Sequence, residues 1–262
     1  MFEGLRRHRQ LTAQMVRREV VGRYRGSMMG MAWSLFYPLL MLSVYTFVFT
    51  VVFNAKWGGG SSVGKGSFAA LVFVGLVVHG VFAECLTKAP GLIVANANYV
   101  KKVVFPLDIL AWVLVGSALF HGAVSLLILL VAQALFASVP WTVVLFPVVL
   151  LPLVLACIGL SWFLSAAGVY LRDISHVTGV ASSLLLFMSP VFYPADALPE
   201  QFRFWLGVNP LTYFIEESRA VLIFGHLPQG DAWLAAMTVG LLIAWSGFVW
   251  FQRTRRGFAD VM

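Results

Sequence analysis

Long apolar runs separated by short polar stretches dominate this chain. A helix crossing the hydrocarbon core of a bilayer, about 30 Å thick, needs about 20 mostly apolar residues. Six stretches read as such crossings: 30–53, 68–87, 109–136, 143–170, 179–192 and 233–251. The fifth is short and runs into Pro194 and Pro199. The pattern predicts an all-α integral membrane protein with six transmembrane helices in a single domain over 1–262. Residues 1–29 form a cytoplasmic helix and linker, 30–251 the membrane part and 252–262 a cytoplasmic tail.

Three polar or mixed segments complete the outline. On a helix over residues 1–24, Phe2, Leu5, Met15, Val16 and Val20 share one broad face, and Arg6, Gln10, Gln14 and Arg17 the other. This is the pattern of a basic amphipathic helix lying along the membrane surface. Between the second and third runs, Pro90 suits the first turn of a short helix, and Asn96 and Asn98 can end it. Such a helix is a handle for a soluble partner, or the stretch is a plain cytoplasmic loop. Residues 195–230 are too polar to cross and too apolar for a soluble tail, with Phe202, Phe204, Trp205, Leu206, Tyr213, Phe214 and Ile215. Asn209-Pro210 splits them into two short amphipathic pieces. Two helices dipping back from the outer face satisfy the backbone at membrane depth; a helix pair lying on the outer surface fits the pattern too.

Composition agrees. The 262 residues are 60% hydrophobic and 11% charged, with a mean hydropathy of +0.89, where soluble domains carry about 45–50% apolar and about 25% charged residues. Such a chain cannot cover a soluble globule, which argues against a soluble enzyme, a nucleic-acid module or a disordered tail. The net charge of +7 is explained by the positive-inside bias. With the N-terminus inside, fourteen Lys and Arg fall on the inner segments and four, Lys56, Lys65, Arg203 and Arg219, on the outer ones. Both termini are then cytoplasmic. Residues 1–26 contain no apolar core of the length a secretory signal needs. Cys85 and Cys157 have no CxxC spacing, and the five histidines form no HExxH, so no metal site is expected.

The string from Gly59 to Gly66, GGSSVGKG, nearly spells a phosphate loop. It lacks the final Ser or Thr that ligates Mg²⁺, follows a spanning helix instead of a strand, and falls outside. The chain is therefore expected to have no ATPase of its own. Glu216 and Glu217 are adjacent and point about 100° apart on a helix, so they are no acid/base pair. Glu217 meets an opposite charge elsewhere, or Glu216, Glu217 and Arg219 are merely solvated or locally paired. Trp33 and Tyr37 share a helical stripe at i, i+4, with Tyr45 further along the same run. Their rings suit the C–H faces of sugars, or they belong to the aromatic belt of the membrane interface.

Several strings together resemble the permease subunit of bacterial polysaccharide-exporting ABC transporters of the ABC-2 type, which move O-antigen, capsule and teichoic-acid polymers. They are residues 17–27 (RREVVGRYRGS) with Gly30-Met-Ala-Trp33, residues 98–106 (NYVKKVVFP), Tyr193-Pro with Leu198-Pro, residues 209–219 (NPLTYFIEESR), and Phe258-Ala-Asp-Val261. The 23–27 string looks closest to the O-antigen and teichoic-acid branch. The resemblance implies a homodimeric channel driven by two separate ATP-binding-cassette subunits, which bind the ATP and Mg, in the bacterial inner membrane. The substrate would be a lipid-linked polysaccharide; no cofactor, catalytic residue or nucleic acid is expected for this chain. It implies that Arg6, Arg17, Arg18, Ile93, Val94, Asn98 and Tyr99 face the ATPase subunit, and that Tyr193, Asn209, Glu216, Glu217 and Arg219 belong to the periplasmic gate. Trp33, Tyr37 and Tyr45 would line the channel and Arg23 and Arg25 attract the phosphate-bearing end of the substrate. Rival readings are a permease for a small drug or a lipid, and a membrane enzyme acting on a lipid-linked sugar. For the enzyme the inner loops offer only Asp108, Asp173 and His176 besides basic residues.

Overall fold

A computed structural model describes residues 2–52, 65–100, 105–195 and 199–261. Every regular element among them is helical. Two short helices, α1 (Phe2–Arg7) and α2 (Arg9–Arg23), precede a 3₁₀ turn (Gly30–Ala32) that enters α3 (Trp33–Thr46), which continues as a π-helical stretch, Phe47–Val52. Then come α4 (Lys65–Lys88), a 3₁₀ turn (Val94–Asn96), α5 (Ala97–Val100) and α6 (Ile109–Phe136). A 3₁₀ turn (Trp141–Leu145) leads into α7 (Phe146–Tyr170), followed by α8 (Ile174–Met188), α9 (Glu200–Val208) and α10 (Pro210–Arg219). A π-helical turn (Ala220–Phe224) follows, then α11 (Gly230–Thr254), a last 3₁₀ turn (Arg255–Gly257) and α12 (Phe258–Val261).

Five stretches are long and apolar enough to cross a membrane: Gly30–Val52, Phe68–Lys88, Ile109–Phe136, Trp141–Tyr170 and Gly230–Gly257. They fall on the first, second, third, fourth and sixth expected crossings. The fifth, expected over 179–192, falls on α8, which starts at Ile174 and ends at Met188. Its 15 residues span only about 22 Å. The cause of the early stop is local. Ser189 precedes Pro190, which drives it out of the helical region, and Ser189 is extended at φ −91°, ψ 153°.

The longest packed seam joins α7 and α11 through small residues. A Cβ on Gly240 would lie 2.6 Å from the Pro152 carbonyl oxygen, and one on Gly159 or Gly247 would strike the backbone of the facing helix. Glycines here let two backbones touch, the usual way for apolar helices to gain contact without a hydrophobic contrast. α4 runs through the centre, with Leu71, Val72, Val74 and Val78 fully buried. In contrast α3 buries only Ser34 and exposes Leu35, Tyr37, Leu39 and Val44.

The N-terminal segment departs from expectation. Met15 and Val20 are buried, and Val16 packs where Gly116 of α6 leaves room, since a Cβ there would lie 2.8 Å from a Val16 methyl. The contacts advance together: Gly4 beside Asp108, Val16 beside Gly116, Arg23 beside His121. The segment therefore runs along the first half of α6 in the same sense. Met15, Val16 and Val20 of its apolar side are thus taken up by protein. Arg6, Arg17 and Arg18 remain on the exposed side.

Candidate functional site

A cavity of about 760 Å³ opens between the end of α2, α3, α4 and α6. Arg23, Trp33, Tyr37 and Tyr45 all line it. Helical periodicity places Trp33 and Tyr37 on one stripe, and Tyr45 stands about 18 Å from Trp33 along the helix. Pro38, between them, also lines the cavity; lacking an N–H, it withholds one helical hydrogen bond at this point of α3. Trp33 meets Phe36 edge-on at 5.4 Å between ring centroids, and Tyr45 contacts Phe192 at 6.3 Å. Tyr37 is 59% exposed, so its ring is available to a ligand. Arg25 lies just past α2 on the exposed surface and is not among the cavity's lining residues.

One end of the cavity is charged. Glu84 Oε1 accepts from Arg23 Nη1 at 2.8 Å and from Lys88 Nζ at 2.6 Å. His121 Nδ1 stands 2.9 Å from Glu84 Oε2 and 3.2 Å from Arg23 Nη1; the position of its proton decides which of the two it bonds. Tyr24 packs edge-on against the His121 ring at 6.2 Å. Further along α4, His79 donates Nε2–H to the Ser182 carbonyl of α8 at 3.1 Å. Sequence reasoning passed over Glu84, His79 and His121, and counted Lys88 only among the inner basic residues. The signal of the first three was present: ionisable residues within apolar runs are costly and default to function.

At the far end of α4, Arg219 is fully buried. Its Nε donates to the Leu71 carbonyl at 3.0 Å, Nη2 to the Val191 carbonyl at 2.9 Å and Nη1 to Glu216 Oε1 at 2.8 Å. The guanidinium thus ties α10 to α4 and to the turn after α8. Burial pulls its pKa down to about 10, against the pull of Glu216, so it remains charged at neutral pH. Glu217 does not share this ion pair. Its Oε2 accepts the Gln229 N–H at 3.3 Å, and burial pushes its carboxyl above the usual range. Asn209 caps α10, accepting the Leu211 N–H at 3.0 Å while donating to Ser189 Oγ at 2.9 Å. Tyr193 donates to the Phe187 carbonyl at 3.2 Å. The π-helical turn after α10 is held from α6 and the α6–α7 link: Gln133 donates to the Leu222 carbonyl at 3.0 Å and Thr142 to the Val221 carbonyl at 2.6 Å.

The connection after α4 corrects two expectations. No helix begins at Pro90. Residues 89–93 form turns, and the helical part comes later, as Val94–Asn96 and Ala97–Val100, so it runs through Asn98, which was expected to end it. Ile93 is fully buried in the chain's own core and is not a surface for another subunit. Val94 is 47% exposed. Tyr99 is held from α2, accepting from Arg18 Nη1 at 2.7 Å, and stacks on Phe105 at 4.3 Å. Lys101, Lys102 and Leu198 lie outside the described residues, as do residues 59–64 of the phosphate-loop-like string. Among the described residues no cluster of His, Cys, Asp or Glu could hold a metal ion.

These features define an integral membrane protein: a bundle of long apolar helices around a cavity with aromatic walls and a charged end. The chain belongs to the ABC-2 type transporter family, whose sequence profile matches residues 10–223. It is 29% identical over 263 aligned residues to an O-antigen export system permease protein, RfbA, of Myxococcus xanthus, covering 99% of this chain and 98% of that one. A Klebsiella pneumoniae protein of the same name is 24% identical over 92% of this chain and 90% of its own length. The polysialic acid transport protein KpsM of Escherichia coli is 24% identical over 81% of each chain.

Proposed function

We propose that this chain is the channel-forming permease of an ATP-driven exporter that moves a lipid-linked polysaccharide, O-antigen foremost, across the bacterial inner membrane. The observation that carries the substrate class is the end-to-end likeness to permeases named for O-antigen export. The likeness to a polysialic acid transport protein favours a polymer over a small drug. In this reading two copies enclose the path, and two separate ATPase subunits bind ATP and Mg and drive it. The exposed Arg6, Arg17 and Arg18, together with Val94, Asn98 and Tyr99, face those subunits. α8 is the fifth of six crossings. α9 and α10 dip back from the periplasmic side as the gate, a reading supported by the burial of Leu211, Phe214 and Ile215. Both termini lie in the cytoplasm, a reading supported by the excess of Lys and Arg on the inner segments.

Within the cavity, Arg23 takes the phosphate-bearing end of the substrate, with Arg25 attracting it from the surface, and Trp33, Tyr37 and Tyr45 offer flat faces to the sugars. Such contacts must be weak and repeated, or the polymer stalls. A photoreactive residue in place of Tyr37 should capture polymer during export, and the Trp33→Ala, Tyr37→Ala double variant should lower surface polymer more than either single change. Capture of lipid alone, with normal polymer in the double variant, refutes the channel reading.

A further inference from the structure

Glu84 is a single carboxylate facing three groups that carry or can carry positive charge. It contacts Arg23 at 2.8 Å, Lys88 at 2.6 Å and His121 at 2.9 Å. With His121 neutral, the cluster keeps one surplus positive charge. The carboxylate sits behind its partners: the Glu84 side chain is 12% exposed, against 46% for Arg23 and 37% for Lys88. Among the described residues Arg23 bonds only through Nη1, although a guanidinium carries five N–H donors. Its remaining donors, Nε and Nη2, on a wall shared with Trp33 and Tyr37, offer an incoming anion a first hold while Nη1 is still on Glu84.

The geometry points to anion exchange at this cluster: Glu84 is a built-in surrogate for the phosphate-bearing end of the substrate and competes with it for Arg23 and Lys88. This rests on the reading of the chain as a permease for a lipid-linked polymer, and it names the competitor built into that site. The chemistry favours exchange. A carboxylate offers one charge and two oxygens; a diphosphate offers more charge and more oxygens, and guanidinium recognises phosphate in a fork. An internal competitor also answers the problem of release. A transport site must bind well enough to load and weakly enough to let go. With Glu84 available to retake the cations, the end that loads also leaves, and the cations never face each other without a counter-charge.

The test uses the full-length protein in phosphatidylcholine nanodiscs, with radiolabelled farnesyl diphosphate as the probe. Removing the competing charge by Glu84→Gln should tighten binding about tenfold, the size of one charge-assisted hydrogen bond. Glu84→Asp, which withdraws the carboxylate by one methylene and keeps its charge, should tighten it in the same direction and serves if Glu84→Gln does not fold. Arg23→Ala should weaken binding, and in that background Glu84→Gln should bring no gain, because the group competed for is absent. Unchanged or weaker binding in both Glu84 variants overturns the exchange. So does displacement of the probe by phosphatidylglycerol as readily as by unlabelled farnesyl diphosphate, which would make the cluster a seat for bulk anionic lipid. Surface polymer separates the two readings. A chain that exports polymer without this exchange loses the exchange alone; one that shows the exchange but exports no polymer loses the export reading alone.

Discussion

Arg219→Ala tests how α10 is held in the bundle. The wild-type guanidinium is fully buried and donates to the Leu71 carbonyl, the Val191 carbonyl and Glu216. Gly75 makes room for it, since a Cβ there would lie 3.2 Å from Val191 Cα and 3.4 Å from Arg219 Nη2. These bonds do not weigh equally. Glu216 has a side chain 40% exposed, so water replaces its partner once the guanidinium is gone. Leu71 lies inside α4, where its carbonyl can also accept from the next helical turn. The Val191 carbonyl lies outside any helix, on a fully buried residue, and loses a charged donor. Relief from burying a charge offsets part of the loss, so the cost is about 2 kcal/mol, that of leaving one buried acceptor without its donor. For a chain of this size that is a fall in Tm of about 4–8 °C. Glu216→Gln should cost less than Arg219→Ala, because the amide oxygen still accepts from Nη1, and Arg219→Lys should fall between, because a point ammonium cannot span the same acceptors in one plane. The assay is thermal unfolding of the purified variants in detergent. A shift below about 2 °C for Arg219→Ala, or equal shifts for Arg219→Ala and Glu216→Gln, would refute the assignment of the guanidinium as the clamp.

Two further outcomes follow from packing. Val94→Asp should leave the protein at normal abundance in the membrane and abolish surface polymer, whereas Ile93→Asp, which forces a carboxylate into the core without a partner, should fail to accumulate; normal polymer in Val94→Asp would remove Val94 from the ATPase interface. Gly247→Ala should destabilise by about 1–3 kcal/mol through overpacking against the Gly159 backbone, while Gly179→Ala, where a Cβ meets nothing within 4 Å, should gain up to about 1 kcal/mol of helix propensity. Equal Tm values for these two variants would contradict the close seam between α7 and α11.

What the sequence made legible is what short-range physics decides. Hydrophobic run length placed the long helices, and the expected 109–136 stretch coincides with α6 (Ile109–Phe136) because its polar and proline flanks stop the helix locally. The junction at Asn209-Pro210 was legible for the same reason: the cap and the proline act within one turn. The turn after α4 was not. Pro90 suits a first helical turn, but its carbonyl lies against Gly168 of α7, with no space for a Cβ, and Ile93 is drawn into the core. Tertiary packing therefore sets where that helix begins, and no local signal records it. The N-terminal face misled in a related way. An apolar stripe says that something apolar covers it, and Gly116, a hundred residues from Val16, makes protein the cover at Val16.

The charged end of the cavity joins both kinds of information. Glu84 and Lys88 are an i, i+4 pair on one helix, visible in the sequence as a local contact. Arg23 and His121 reach the same carboxylate from 61 and 37 residues away, which only the fold can bring about. Arg23 and Lys88 are also two of the basic residues expected on the inner segments. Counted as charges, they bear only on orientation. Their geometry adds that they converge with Glu84 on one cavity. A basic residue near the inner surface can thus serve orientation through its charge and recognition through its hydrogen bonds, and the positive-inside bias of this chain contains part of its site.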